Sequence, residues 1–313
     1  MDDVTEFLVL RYSLIEEAQA SVDTHPLPEP KGKAVEIALR GDREYASKQA
    51  RYAFVGFTQP EPRAPYVFPA SRFLVGKVAK LRKTHVGEKV PGDIIEHVAD
   101  DWIPLITVVD VEAQHVLIQR NWRFGTDSQI ARAVEAGMRD QVLAYYNHRV
   151  FVEPRTAKED FWKVIEANRK IYRLELRLIS PNILDTNEKA KDALEALKEL
   201  YGQDEVALVL ENETGSLKVP KEPVADYIDY IAEGEGRWSV VTEGSRGGKK
   251  KHKSESAPQT IQLSVPNEDE VRSEGQLELE SGAPAPSRDR TDLQLIAEAY
   301  TETQELARRR EDD

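Results

Sequence analysis

Residues Ile171 to Ile179, IYRLELRLI, alternate too regularly for a helix and suit a half-buried β-strand. Tyr172, Leu174, Leu176 and Leu178 share one face, and Arg173, Glu175 and Arg177 share the other. A strand of this kind needs a partner sheet and an apolar layer against one side. The rest of the chain supplies both.

Before it, Glu6–Leu14 reads as a first strand, followed by a proline-bearing link at Pro26, Pro28 and Pro30. Ala34–Leu39 (AVEIAL) reads as a half-buried strand, and Tyr45–Phe57 holds another, RYAFVGF. The proline-rich segment Pro60–Pro69 is an extended loop, and Phe73–Lys83 is either a strand or a strand running into a basic turn. Asp93–Val98 reads as a short helix. Trp102–Asp110 and His115–Arg120 form a hairpin, and Thr126–Tyr146 is a long amphipathic helix capped by Thr126 or Asp127.

A second lobe begins near residue 150, with a short strand at Val150–Glu153. A helix follows that Thr156 caps, with Glu159 at capping-box spacing. After the alternating strand come a helix at Thr186–Tyr201 ended by Gly202, and a hairpin of Glu205–Leu210 with Gly215–Val219. A helix at Pro223–Ile231 and a strand at Arg237–Val241 complete the lobe. The expected fold class is α+β: two small lobes with mostly antiparallel sheets. Residues 1–149 form the first lobe and 150–243 the second. Residues 244–290, rich in Ser, Gly, Pro and charge, read as a disordered linker. Residues 291–313 read as a C-terminal amphipathic helix whose stripe of Leu293, Ile296 and Tyr300 is expected to dock on a partner protein or protomer.

The 313 residues contain no cysteine, which removes disulfides, thiolate metal sites and cysteine nucleophiles. The N-terminus is acidic and its apolar run short, unlike a signal peptide, and no stretch reaches membrane-span length. A cytoplasmic protein without direct membrane insertion is expected. Phosphate loops, dinucleotide fingerprints, zinc-protease helices and nucleophile elbows are missing from the sequence, and no two of the six histidines lie at helical ligand spacing. No catalytic residue, metal or cofactor is expected.

The net charge of −13 is unevenly spread. Residues 71–180 carry 18 basic against 15 acidic side chains, whereas residues 181–243 carry 6 against 15. Within the basic part, Lys77, Lys80, Arg82, Lys83 and Lys89 cluster, Arg120 and Arg123 bracket Trp122, and Arg173 and Arg177 share a strand face. Lysine and arginine contact phosphates without reading sequence, so these nine are the candidate DNA-binding residues. The run GGKKKHK reads first as a solvated flexible segment and second as a nonspecific phosphate contact.

Over residues 70–220 the element order resembles the RexA-like phage-exclusion family. The elements that carry the likeness are Ala99-Asp100-Asp101, the Gly125-Thr126-Asp127-Ser128 turn, Glu153-Pro154 and the charged strand after Asn168. The resemblance implies a non-catalytic homodimer that binds duplex DNA with little sequence preference in anti-phage defence, with a membrane or effector protein as partner. Two other classes stay open: an accessory regulator that binds protein through the acidic second lobe and tail helix, and an unfamiliar metal-dependent nuclease.

Overall fold

The computed structural model describes residues 3–17, 24–179, 188–244, 247–265 and 288–311. The chain is α+β, with two sheet-containing lobes and a C-terminal helix.

Strand β1 (Asp3–Glu16) is the axis of the first lobe. Phe7, Val9 and their neighbours Leu8 and Leu10 are all fully buried, because both faces of this strand are covered. That is why FLVL reads as an unbroken apolar run. One edge of β1 pairs with β6 (His115–Gln119). The other pairs first with β12 (Thr260–Val265) and then, from Leu10 onward, with β7 (His148–Pro154). Beyond β6 the sheet continues through β5 (Asp93–Asp110), β4 (Phe73–Val90), β3 (Ala50–Thr58) and β2 (Arg43–Ser47).

Helices α1 (Glu36–Leu39) and α2 (Asp127–Tyr146) cover one face, packing Ile130, Val134 and Val142 against Leu8, Leu10 and Ile118. Thr126 caps α2 in a reciprocal box with Gln129. Helix α6 (Arg288–Glu311) covers the other face, burying Leu293, Leu295, Ile296 and Ala299 against Phe7, Val9, Phe73 and Leu263. The second lobe has a four-stranded antiparallel sheet. Its order is β11 (Lys249–Lys253), β10 (Gly236–Glu243), β8 (Ile171–Ile179), β9 (Glu205–Glu211). Helices α3 (Lys158–Ala167), α4 (Glu188–Tyr201) and α5 (Lys221–Ala232) lie on one face of it. The opposite face is polar.

Several sequence expectations are corrected. Ala34–Leu39 is helical, a 3-10 turn at Lys31–Val35 running into α1. Its buried residues Ala34, Val35, Ala38 and Leu39 recur at helical spacing. Asp93–Val98 is strand, paired residue for residue with β4 out to Val90↔Asp93. Thr156 does not cap α3; Ala157 occupies that place, and buried Thr156 bridges to Pro258. Gly215–Val219 forms no strand and pairs with β8 at the isolated bridge Ser216↔Ile171, because the Asn212 side chain folds the segment back. The strand at residue 150 belongs to the first sheet. The span 244–290 contains β11 and β12, both ordered by sheet pairing; the disorder expected for 266–287 falls outside the described residues.

The tail helix is corrected too. Its stripe of Leu293 and Ile296 is buried on the chain's own sheet, and Tyr300 meets Phe73 edge-to-face at 5.9 Å. The sheet would otherwise expose Phe7, Val9 and Leu263, so the helix has an apolar surface to cover within its own chain. Ile296→Ala should therefore cost about 2–5 kcal/mol in urea unfolding, as other buried truncations do. An unchanged midpoint would show that α6 is not docked.

Ion pairs join the lobes. Arg11 on β1 meets Glu235 at 2.8 Å with both side chains almost fully buried, and Ser13 Oγ donates to the same carboxylate at 2.7 Å. Arg155 reaches Glu233 at 3.2 Å, and Arg149 reaches Asp204 at 2.7 Å. Removing one member of a buried pair strands the other, so Arg11→Met should cost about 3–5 kcal/mol. Adding Glu235→Leu should restore most of that loss in the same measurement.

Candidate anion-binding cleft

The polar face of the second sheet is a lattice of charge. Alternation in β8 puts Arg173, Glu175 and Arg177 on it, as the sequence predicts. Across the ladder Arg237 sits opposite Arg177, Ser239 opposite Glu175, and Lys253 beyond Ser239 on β11. Adjacent guanidiniums repel, but Glu205 from β9 contacts both, Arg177 at 3.2 Å and Arg237 at 3.5 Å. Glu175 accepts from Arg177 at 2.7 Å and from Arg173 at 3.2 Å. The Arg177 bond chiefly holds its carboxyl below the usual range.

Arg132 of α2 faces this lattice from the other lobe. The cleft between them encloses about 270 Å³ and is lined by Arg132, Arg177, Arg237, Lys251 and Lys253, against the carboxylates of Glu175 and Glu255. Glu255 lies 4.0 Å from Lys253. Among the described residues, exposed Arg132 and Lys251 have no ion-pair partner. Ser239 also lines the cleft, and its buried Oγ has no hydrogen-bond partner. Five cations around so small a space suit a multiply charged oxyanion.

Behind the cleft, Glu153 of β7 accepts from Arg237 at 3.0 Å. Burial pushes Glu153 up to about 8; Arg237 opposes this, and Glu135, Glu255 and Glu205 add to it. A carboxyl raised on folding binds its proton more tightly in the folded state. Its ionisation therefore weakens the fold as pH rises from the ordinary carboxylate range toward 8. Glu153→Gln cannot ionise, so the stability of the variant relative to wild type should rise between pH 5 and pH 8 in urea titrations. A constant difference would mean that Glu153 does not titrate in that window.

The nine cations proposed from sequence do not form one surface. Arg177 lines the cleft and Arg173 lies beside it, with Glu211 and Glu175 as partners. Arg120 is held by Glu6 and Asp127, Arg123 by Asp101 and Lys83 by Asp100. Lys80 donates to the Phe124 carbonyl, and Lys77 is half-buried on β4. Arg82 and Lys89 are exposed and have no ion-pair partner among the described residues. They lie on a two-stranded arm, residues 82–101, where β4 and β5 run past the rest of the sheet and expose Val86, Ile94, Ile95 and Val98.

Sequence reasoning missed Arg132, Arg237, Lys251 and Lys253 as site residues. Lys251 and Lys253 belong to the GGKKKHK run, whose every-other-residue spacing is the signal that a strand would place them on one face. Among the described residues no group of three or more His, Asp or Glu could hold a metal ion, and no helix is long and apolar enough to cross a membrane.

Fold and cleft define a two-lobed α+β protein with a cation-lined groove between its lobes. The chain belongs to the family described as Domain of unknown function (DUF4747), whose match covers residues 111–279, more than half its length. Every residue lining the cleft falls within that span, and the β4–β5 arm lies outside it. No curated protein and no solved structure matches the chain.

Proposed function

We propose that this protein binds duplex DNA without catalysis and largely without sequence preference, through its phosphates. The observation that carries the reading is the convergence of five cations on the inter-lobe cleft, two of them lacking a carboxylate partner among the described residues. Phosphate contacts give affinity and position but carry no base information. The overall acidity of the chain disfavours nonspecific adhesion, so binding concentrates where cations outnumber acids. The sequence resemblance to the RexA-like family, at the GTDS turn, Glu153-Pro154 and the charged strand after Asn168, suggests a setting in phage exclusion, with a cytoplasmic homodimer and an effector as partner.

A second reading, an accessory protein-binding subunit, is favoured by the arm. Its exposed valines and isoleucines, with both strand edges open, form a surface suited to protein contact, whether by a second copy or an effector.

Salt separates the two. A gel shift with random duplex should weaken steeply between 50 and 200 mM salt, with a slope of about −0.9 per phosphate neutralised. Arg132→Ala with Lys251→Ala should weaken binding to all sequences alike and lower that slope by about 2. If no duplex binds at 50 mM salt while a protein partner is retained through the arm, the second reading replaces the first.

A further inference from the structure

We propose that the cleft seats a phosphate monoester, the terminal phosphate of a nucleic-acid strand, in preference to the internal diesters of a duplex. This rests on the phosphate-binding reading of the same cleft. Its first support is size. The enclosed volume, about 270 Å³, suits one small anionic group and is at the lower limit of ligand-sized pockets. The end of a strand can enter it, while a duplex lying across its mouth meets the exposed Arg132 and Lys251.

The second support is charge. A monoester carries about −1.5 to −2 at pH 7, whereas a backbone diester carries one charge. Arg132, Arg237 and Lys251 approach from α2, β10 and β11, so cations meet the ligand from both lobes. The two lining carboxylates are already engaged, Glu175 by Arg173 and Arg177 and Glu255 by Lys253. With five cations against these two carboxylates, the lining is cationic on balance.

The third is the hydroxyl of Ser239. Buried hydroxyls nearly always have a partner, and this one has none among the described residues. It sits in the cross-strand row between Glu175 and Lys253, at a lining position, where a side-chain rotation would give an entering oxyanion a neutral donor. Trp238, the one aromatic residue of the lining, is only 4% exposed, so the cleft offers no ring on which a base could stack. Such a site reads phosphate and ignores sequence.

The test is fluorescence competition on the full chain with four probes. These are a duplex with 5′-phosphates, the same duplex without them, the same sequence closed by hairpin loops at both ends, and a nucleoside monophosphate. The 5′-phosphorylated duplex should bind on the order of tenfold more tightly than the other two duplexes. That preference should fade as pH drops through about 6, where the monoester loses its second charge. Ser239→Ala, which removes a hydroxyl with no hydrogen-bond partner among the described residues, should abolish the preference for the 5′-phosphorylated duplex. Ser239→Thr should keep it.

Equal binding of all three duplexes overturns the terminal-phosphate proposal while leaving duplex binding intact. Binding of the monophosphate alone, with no duplex retained, overturns the strand-end assignment and the duplex reading and makes a free phosphorylated metabolite the occupant. Binding of none of the four overturns both readings.

Discussion

The relation between the lobes hangs on one buried carboxylate. Glu235 lies between α5 and β10, and its charge is met by Arg11 and Ser13 of the first sheet. A pair this deep adds little net stability, because the desolvation of both charges opposes their attraction. Its effect is positional: satisfying Glu235 requires Arg11 and Ser13 of the first sheet to sit against it. The flanking residues show how tight the contact is. A Cβ on Gly234, at φ +85°, would lie 2.7 Å from the Arg11 Cβ across the contact, and within the second sheet one on Gly236 would lie 2.2 Å from the Arg177 carbonyl oxygen. Only glycine lets the two backbones approach this closely.

That registration builds the cleft. Arg237 follows Glu235 by two residues, and its guanidinium turns back to Glu153 of the first sheet. Arg132 comes from a helix of one lobe and Lys251 from a strand of the other. Neither lobe alone assembles the cation set. The site is therefore a product of docking, and its geometry is only as firm as the buried ion pairs beside it.

Local pattern made much of this legible and long-range pairing hid the rest. The alternation of β8 gave its faces correctly, and Thr126 marked the start of α2 through its box with Gln129. The failures share a cause. AVEIAL satisfies both periods over six residues, and only burial between β1 and α2 decides for helix. Asp93–Val98 carries no alternation because both faces of the arm are solvated, so the strand is dictated by β4 across the turn rather than by a core. The lysine run looked like linker because it carries no apolar alternation of its own; it is ordered as the edge strand of a hairpin with β10. The cleft mixes α2 with β8, β10 and β11, and no local window contains it.

The pairing of the chain's beginning with its end bears on how it is made. Strand β1 leaves a ribosome well before β12 and α6, which cover its edge and one face. Phe7 and Val9 must wait through some 250 residues of synthesis before Ile261 and Ile296 reach them. At about 5–20 residues per second that wait is on the order of ten seconds or more. The first lobe thus cannot close until they arrive, and over that interval a nascent chain carries an uncovered apolar sheet face. The second lobe, with its strands drawn from residues 171–253, can be complete before the first. Order of synthesis and order of folding run in opposite directions, and the half made first relies longest on whatever shields hydrophobic surface in the cell.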